Sequence, residues 1–106
     1  MHIEVNEKNF REKVIERSKN VPVIVDFWAE WCEPCFLLEP ILKKLTEEYK
    51  FILAKINIDE NPKLVEIYNI RGIPNVKLFK DGRIVDEFIG TLPEEYVREW
   101  IEKNLG

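Results

Sequence analysis

Apolar residues recur along this chain with two periods, and the switches between them lay out its elements. Ile3-Glu4-Val5 alternates and predicts a short first strand. Asn6 is suited to cap a helix from about Glu7 to Ser18, whose apolar positions Phe10, Val14 and Ile15 share one face. From Val21 to Trp28 both alternating faces are apolar except at Asp26, which predicts a central strand covered on both sides. A second helix follows from near Cys32 to about Tyr49, with Leu38, Ile41, Leu42, Leu45 and Tyr49 at helical spacing. Pro40 lies inside it, removes one backbone donor and predicts a kink.

Phe51 to Ile58 reads as a second buried strand, interrupted by Lys55. Asn61-Pro62 reads as the cap and first-turn proline of a short helix ending near Asn69. The runs Asn75 to Lys80 and Arg83 to Ile89 flank Asp81-Gly82, a dipeptide that favours a two-residue hairpin. Thr91-x-x-Glu94 has capping-box spacing, with Pro93 just inside the last helix, whose buried stripe is Tyr96, Val97, Trp100 and Ile101. The order βαβαβαββα predicts a single α/β domain over residues 1–106. Its early strands pair in parallel through crossovers, and the hairpin adds antiparallel strands.

Composition narrows the function classes. The 106 residues are 45% hydrophobic, enough for a core, and 16 Lys+Arg stand against 20 Asp+Glu. A net charge of -4 argues against a protein that binds nucleic-acid phosphates. No apolar run approaches the ~20 residues of a bilayer span, so no membrane role is expected. The first residues, Met1 to Glu7, carry neither a basic region nor an apolar stretch, and the chain reads as cytoplasmic and, by default, monomeric.

The candidate chemistry is Trp31-Cys32-Glu33-Pro34-Cys35, between the carboxyl end of a central strand and the start of a helix. Open α/β sheets place their sites there. Two cysteines three apart can close a small ring, and the first lies near the unpaired N–H groups and positive end of a helix. Both features favour the thiolate, the nucleophile of disulfide exchange. A structural disulfide is the blander reading. Its loop is so short that the chain-entropy relation gives about 2 kcal/mol, against about 4.7 kcal/mol for a 100-residue loop. Zinc is a further alternative, but with His2 as the one histidine a single chain cannot supply four Cys/His ligands, so two chains would have to share the site. Asp26 and Lys55 are the charged exceptions in two apolar strands. Either they point to solvent at strand ends, or they are buried, in which case desolvation raises the Asp26 pKa.

The stretch Val25-Asp26-Phe27-Trp28-Ala29-Glu30-Trp31-Cys32-Glu33-Pro34-Cys35 resembles the active-site segment of the thioredoxin family. Ala54 to Asn61 and Arg71-Gly72-Ile73-Pro74 resemble two later signatures, and Lys80-Asp81-Gly82 and Gly90 also match. The resemblance runs colinearly over essentially the whole chain. It implies the thioredoxin fold, with helices on both faces of a mixed sheet. It also implies a dithiol/disulfide cycle with no bound cofactor: Cys32 attacks a disulfide in a protein substrate, Cys35 resolves the mixed disulfide, and a thioredoxin reductase restores the dithiol. The aspartate matching Asp26 assists Cys35, with the match to Lys55 nearby. The proline matching Pro74 is cis, whereas X–Pro bonds in general are cis in only about 5–6% of cases. The residue before it offers main-chain groups to substrate. Trp31, Glu33, Pro34, Gly72, Ile73, Pro74 and Gly90 are thus the expected substrate-contact residues.

Two positions depart from the family pattern. Glu33 stands where glycine is usual and Phe36 where Lys or Arg is usual. Together they add a negative charge beside the thiolate and remove a positive one. A charge ~7 Å away near a surface is worth about 1 kcal/mol, which raises the Cys32 pKa and predicts a protein at least as reducing as an ordinary thioredoxin. A dedicated reductase serving one client, or a binding module on the same fold, are the alternatives. Retention of both cysteines, Asp26 and Pro74 speaks against the second.

Overall fold

A computed structural model describes all 106 residues. Five strands form one sheet in the order β1-β3-β2-β4-β5: β1 (His2–Glu4), β2 (Val23–Trp28), β3 (Ile52–Asn57), β4 (Asn75–Lys80) and β5 (Arg83–Ile89). β3 pairs in parallel with β1 and β2, while β4 runs antiparallel to both β2 and β5. Three α-helices, α1 (Glu33–Leu45), α2 (Pro62–Ile67) and α3 (Glu94–Leu105), and an N-terminal helical segment complete the chain. The expected α/β architecture and strand directions are therefore present.

The period-two alternation of the central strands builds two cores. Val23, Val25 and Phe27 of β2 and Ile52, Ala54 and Ile56 of β3 face the N-terminal helical segment and α2, where Phe10, Val14 and Leu64 meet them. Ile24 and Leu53 face the other way, onto Leu38, Leu42 and Leu45 of α1 and Val97, Trp100 and Ile101 of α3. Helices thus cover both faces. Asp26 and Lys55 share the parity of Ile24 and Leu53, so both point toward the α1 side.

Local geometry departs from the sequence reading at several places, one of them Tyr96, which is 54% exposed rather than part of the buried stripe of α3. The first helix is not a regular α-helix: Arg11–Glu16 is a π-helix that tightens into a 3₁₀ turn at Arg17–Lys19. Its buried positions Phe10, Val14 and Ser18 recur every four residues. That spacing exceeds the α period, and a wider turn keeps all three on the core. Ser18 then accepts the N–H groups of Asp81 and Gly82, through its carbonyl and hydroxyl at 2.9 Å each, which ties the hairpin turn to this segment. Asp81 and Gly82 both have positive φ, 55° and 83°, as the two-residue turn demands.

α1 stops at Leu45 rather than Tyr49, because Thr46 turns its hydroxyl onto the Lys43 carbonyl at 2.6 Å. The helix continues through Pro40. Asn61 does not cap α2. Its side chain accepts from the Glu7 N–H and donates to the Asn57 carbonyl, pinning the N-terminal loop to the end of β3. The capping box at Thr91 does not form either. Pro93 lies just outside α3, and the Glu94 carboxylate is drawn instead into ion pairs with Lys44 and Arg98.

Candidate active site

β2 ends at Trp28, the chain turns through Ala29 to Trp31, and α1 begins at Glu33. The Cys32 N–H donates to the Ala29 carbonyl at 3.2 Å, which fixes this turn. Cys32 is the N-cap residue of α1, in extended conformation, and its Sγ accepts the Cys35 N–H at 3.2 Å. A sulfur in the capping position occupies the place that Ser or Asp usually fills, and both the N–H and the helix dipole favour negative charge there. Pro34 in the first turn costs no hydrogen bond, since that N–H would be unpaired anyway. Cys32 and Cys35 are joined as a disulfide, with their Cα atoms 5.4 Å apart. The pair is nearly enclosed by Ala29, Trp28, Ile58 and Ile73; Cys32 keeps 4% of its surface and Cys35 2%.

Around this enclosed sulfur pair lies an exposed rim. Trp31 is 68% exposed, and its indole N–H donates to Asp59 Oδ2 at 2.9 Å, which orients the ring. Glu33 and Pro34 are exposed. The Ile73–Pro74 bond is cis, as the family resemblance implies, and Pro74 is buried. The Gly90 N–H donates to the Pro74 carbonyl at 2.7 Å, joining the two loops, while the N–H and carbonyl of half-buried Ile73 have no partner within the chain. At Gly72 the backbone approaches the end of β5 closely: a Cβ there would meet Ile89 Cγ2 at 3.2 Å. Gly90 has φ 91° with open space around it, so its need is conformational. The surface hollows of the molecule lie elsewhere, beside Ser18 to Pro22, beside Met1 and Arg17, and beside Asn6 to Lys8. The site is a flat face rather than a pocket, a shape suited to a macromolecule.

Asp26 and Lys55 are register partners on β2 and β3, both buried, which settles the choice left open by the sequence. Neither Asp26 oxygen has a hydrogen-bond partner. Burial pushes its carboxyl up to about 7; Lys55 opposes the rise, and Glu39 and Glu4 add to it. Lys55 is bonded to Glu39 of α1, and its Nζ lies 4.3 Å from the centre of the Trp28 ring. Phe36 in turn stands edge-on to Trp28 at 6.1 Å between ring centres.

All the residues singled out from sequence therefore converge on one end of the sheet. Three members were not anticipated. Glu39 reads as an ordinary exposed position of α1, Asp59 as a loop acid, and the Trp28–Phe36 stack requires the strand-to-helix geometry. The spacing of Glu39, four residues after Cys35, was the available signal for the first.

A thioredoxin family model matches residues 1–103. The chain is 39% identical over 107 aligned positions to a thioredoxin of Chlorobaculum thiosulfatiphilum, covering 99% of this chain and 97% of that one. It is 44% identical to a thioredoxin of Rickettsia bellii, over 95% of this chain and 96% of that one. It is 43% identical to a chloroplastic M-type thioredoxin of Spinacia oleracea, over 96% of this chain and 56% of that one.

Proposed function

The chain belongs to the thioredoxin family and is a protein-disulfide reductase, and on that premise we propose a division of labour among its residues. Cys32 is the attacking sulfur. In the reduced protein its thiolate is favoured by the Cys35 N–H and the α1 dipole, and it displaces one sulfur of a substrate disulfide, which leaves as a thiolate and is protonated by water. Asp26 then takes the Cys35 proton. The Cys35 thiolate attacks Cys32 Sγ, the Cys32–Cys35 bond forms, and the bond from Cys32 to substrate breaks with its electron pair on the second substrate sulfur. Two electrons pass from the protein to the substrate, the second substrate thiolate is also protonated by water, Asp26 returns the Cys35 proton to solvent, and the disulfide form is left.

The observation that carries this reading is the Cys35 N–H directed at Cys32 Sγ from the first turn of α1. The flat rim supplies recognition. Trp31, Glu33, Pro34, Gly72, Ile73, Pro74 and Gly90 contact the substrate, with the unpaired main-chain groups of Ile73 taking an extended segment by strand-like pairing. No cofactor is needed for the exchange, and a thioredoxin reductase returns the electrons. The working place is the cytoplasm, and the working form a monomer; no helix is long and apolar enough to cross a membrane. Exposed Glu33 and Phe36 make the protein at least as reducing as an ordinary thioredoxin.

Reduction of insulin disulfides with dithiothreitol as donor tests the cycle: the native protein accelerates it and Cys32→Ser does not. Equal rates for the two would remove Cys32 from the mechanism. A redox titration against glutathione tests the tuning, and a potential in the glutaredoxin range or above refutes it.

A further inference from the structure

β2 and β3 each carry one charged side chain, Asp26 and Lys55, and the two are register partners on the face covered by α1. A buried ammonium and a buried carboxylate so placed are expected to bond one another. They do not. Both Asp26 oxygens are without a partner, while Lys55 Nζ is bonded to Oε2 of Glu39. The same Glu39 oxygen receives Lys43 Nζ at 3.2 Å. Lys55 is further held by the face of Trp28, itself braced by Phe36. Glu39 and Phe36 both lie on α1, the helix that opens on the cysteine pair.

Glu39 acts on Asp26 twice with one sign. Its own negative charge opposes a second one beneath it, and it engages the ammonium that would otherwise be the counter-ion of Asp26. Burial pushes the Glu39 carboxyl up, but the bonds from Lys55 and Lys43 outweigh burial and hold it below its ordinary range, so it is ionised near neutrality. The charged groups facing Asp26 are Lys55 from β3, Glu39 from α1 with Lys43 behind it, and Glu4 from β1. Its neighbour on β4 is Val76.

We propose that Glu39 is a positioning residue for the exchange reaction: by bonding Lys55 to itself it denies Asp26 a counter-ion and sets the pH at which Asp26 accepts the Cys35 proton. This rests on the reading of Cys35 as the resolving sulfur. With Glu39 in place Asp26 stays protonated up to near neutrality and becomes a base only above it. Without Glu39, Lys55 turns to Asp26, which ionises earlier and is a weaker base for the thiol.

The test follows the Asp26 carboxyl carbon by NMR across the pH range in the oxidised protein, in native form and as Glu39→Gln, Glu39→Ala and Lys43→Met. In parallel, the pH profile of product release is measured in single turnovers of the reduced proteins with a peptide disulfide. Both Glu39 variants are expected to lower the Asp26 midpoint by about one pH unit and to move the release profile down with it. Lys43→Met removes a charge of the opposite sign and leaves Lys55 on Glu39, and is expected to raise the midpoint by no more than a few tenths. Superimposable Asp26 titrations in native and folded Glu39 variants overturn the proposal, as does a shift of the same size, in either direction, in Lys43→Met. Native protein that releases no product at any pH would overturn the reductase reading itself. That failure is distinguishable, because the titration needs no turnover.

Discussion

Asp26→Asn removes one buried titration and leaves the shape of the side chain. In the folded protein the Asp26 carboxyl is raised from 3.8 to about 7, chiefly by burial. Its unfolded value is the ordinary one. Between the two values the folded state holds a proton that the unfolded chain has lost. Raising the pH through that window therefore favours unfolding, and the loss is complete once the pH passes the folded value. The gap of about three pH units corresponds to about 4 kcal/mol, of which about 3 kcal/mol develops between pH ~4.5 and ~8.5. An amide at this position does not titrate. The variant should therefore gain on the native protein by about 3 kcal/mol across that interval, whatever fixed difference the substitution itself introduces. Urea unfolding of the two oxidised proteins at a series of pH values, with the slope of free energy on urea held common, reads this directly. Groups not coupled to Asp26 titrate alike in both proteins and cancel. Stability curves that run parallel from acid to base would mean that Asp26 is not protonated in the fold near neutrality, and the buried, partnerless carboxyl would lose its meaning.

Further outcomes follow from the same geometry. Cys35→Ser leaves the attacking sulfur without its resolver, so a mixed disulfide with a substrate protein should accumulate and be visible by mass spectrometry. Trp31→Ala removes an exposed ring held by one surface hydrogen bond, so stability should change by about 0.5 kcal/mol or less while KM for a protein disulfide rises several-fold. Leu42→Ala hollows the core between α1 and the sheet and should cost about 2–5 kcal/mol in urea unfolding. Gly82→Ala finds room, its nearest neighbour being Lys19 Cε at 3.5 Å, so the left-handed backbone alone should cost about 1–2 kcal/mol. A loss well beyond that would show that the turn is packed more tightly than its contacts indicate.

What the sequence by itself determined was the alternation of the strands, the Asp-Gly turn, the position of Cys32 at a strand-to-helix junction, and the presence of two charges in apolar runs. These are local quantities: side-chain period, turn chemistry and the spacing of two sulfurs all act within a few residues. The expected order of elements and direction of strands appear unchanged in the structure. The tertiary structure decided wherever a side chain had a choice of partners. Asn61 and Glu94 have cap-like spacing, yet each is bound more strongly by groups far along the chain, Asn61 by Glu7 and Glu94 by Lys44. The first helix widens because its buried positions must meet a surface that its own period does not contain. Most consequential is Lys55. The sheet makes it the register partner of Asp26, but Glu39 reaches it from a helix packed across the strands. Buried Asp26 holds its proton near neutrality while Glu39 is ionised, and only the packing of α1 on β2 and β3 brings Glu39 to Lys55.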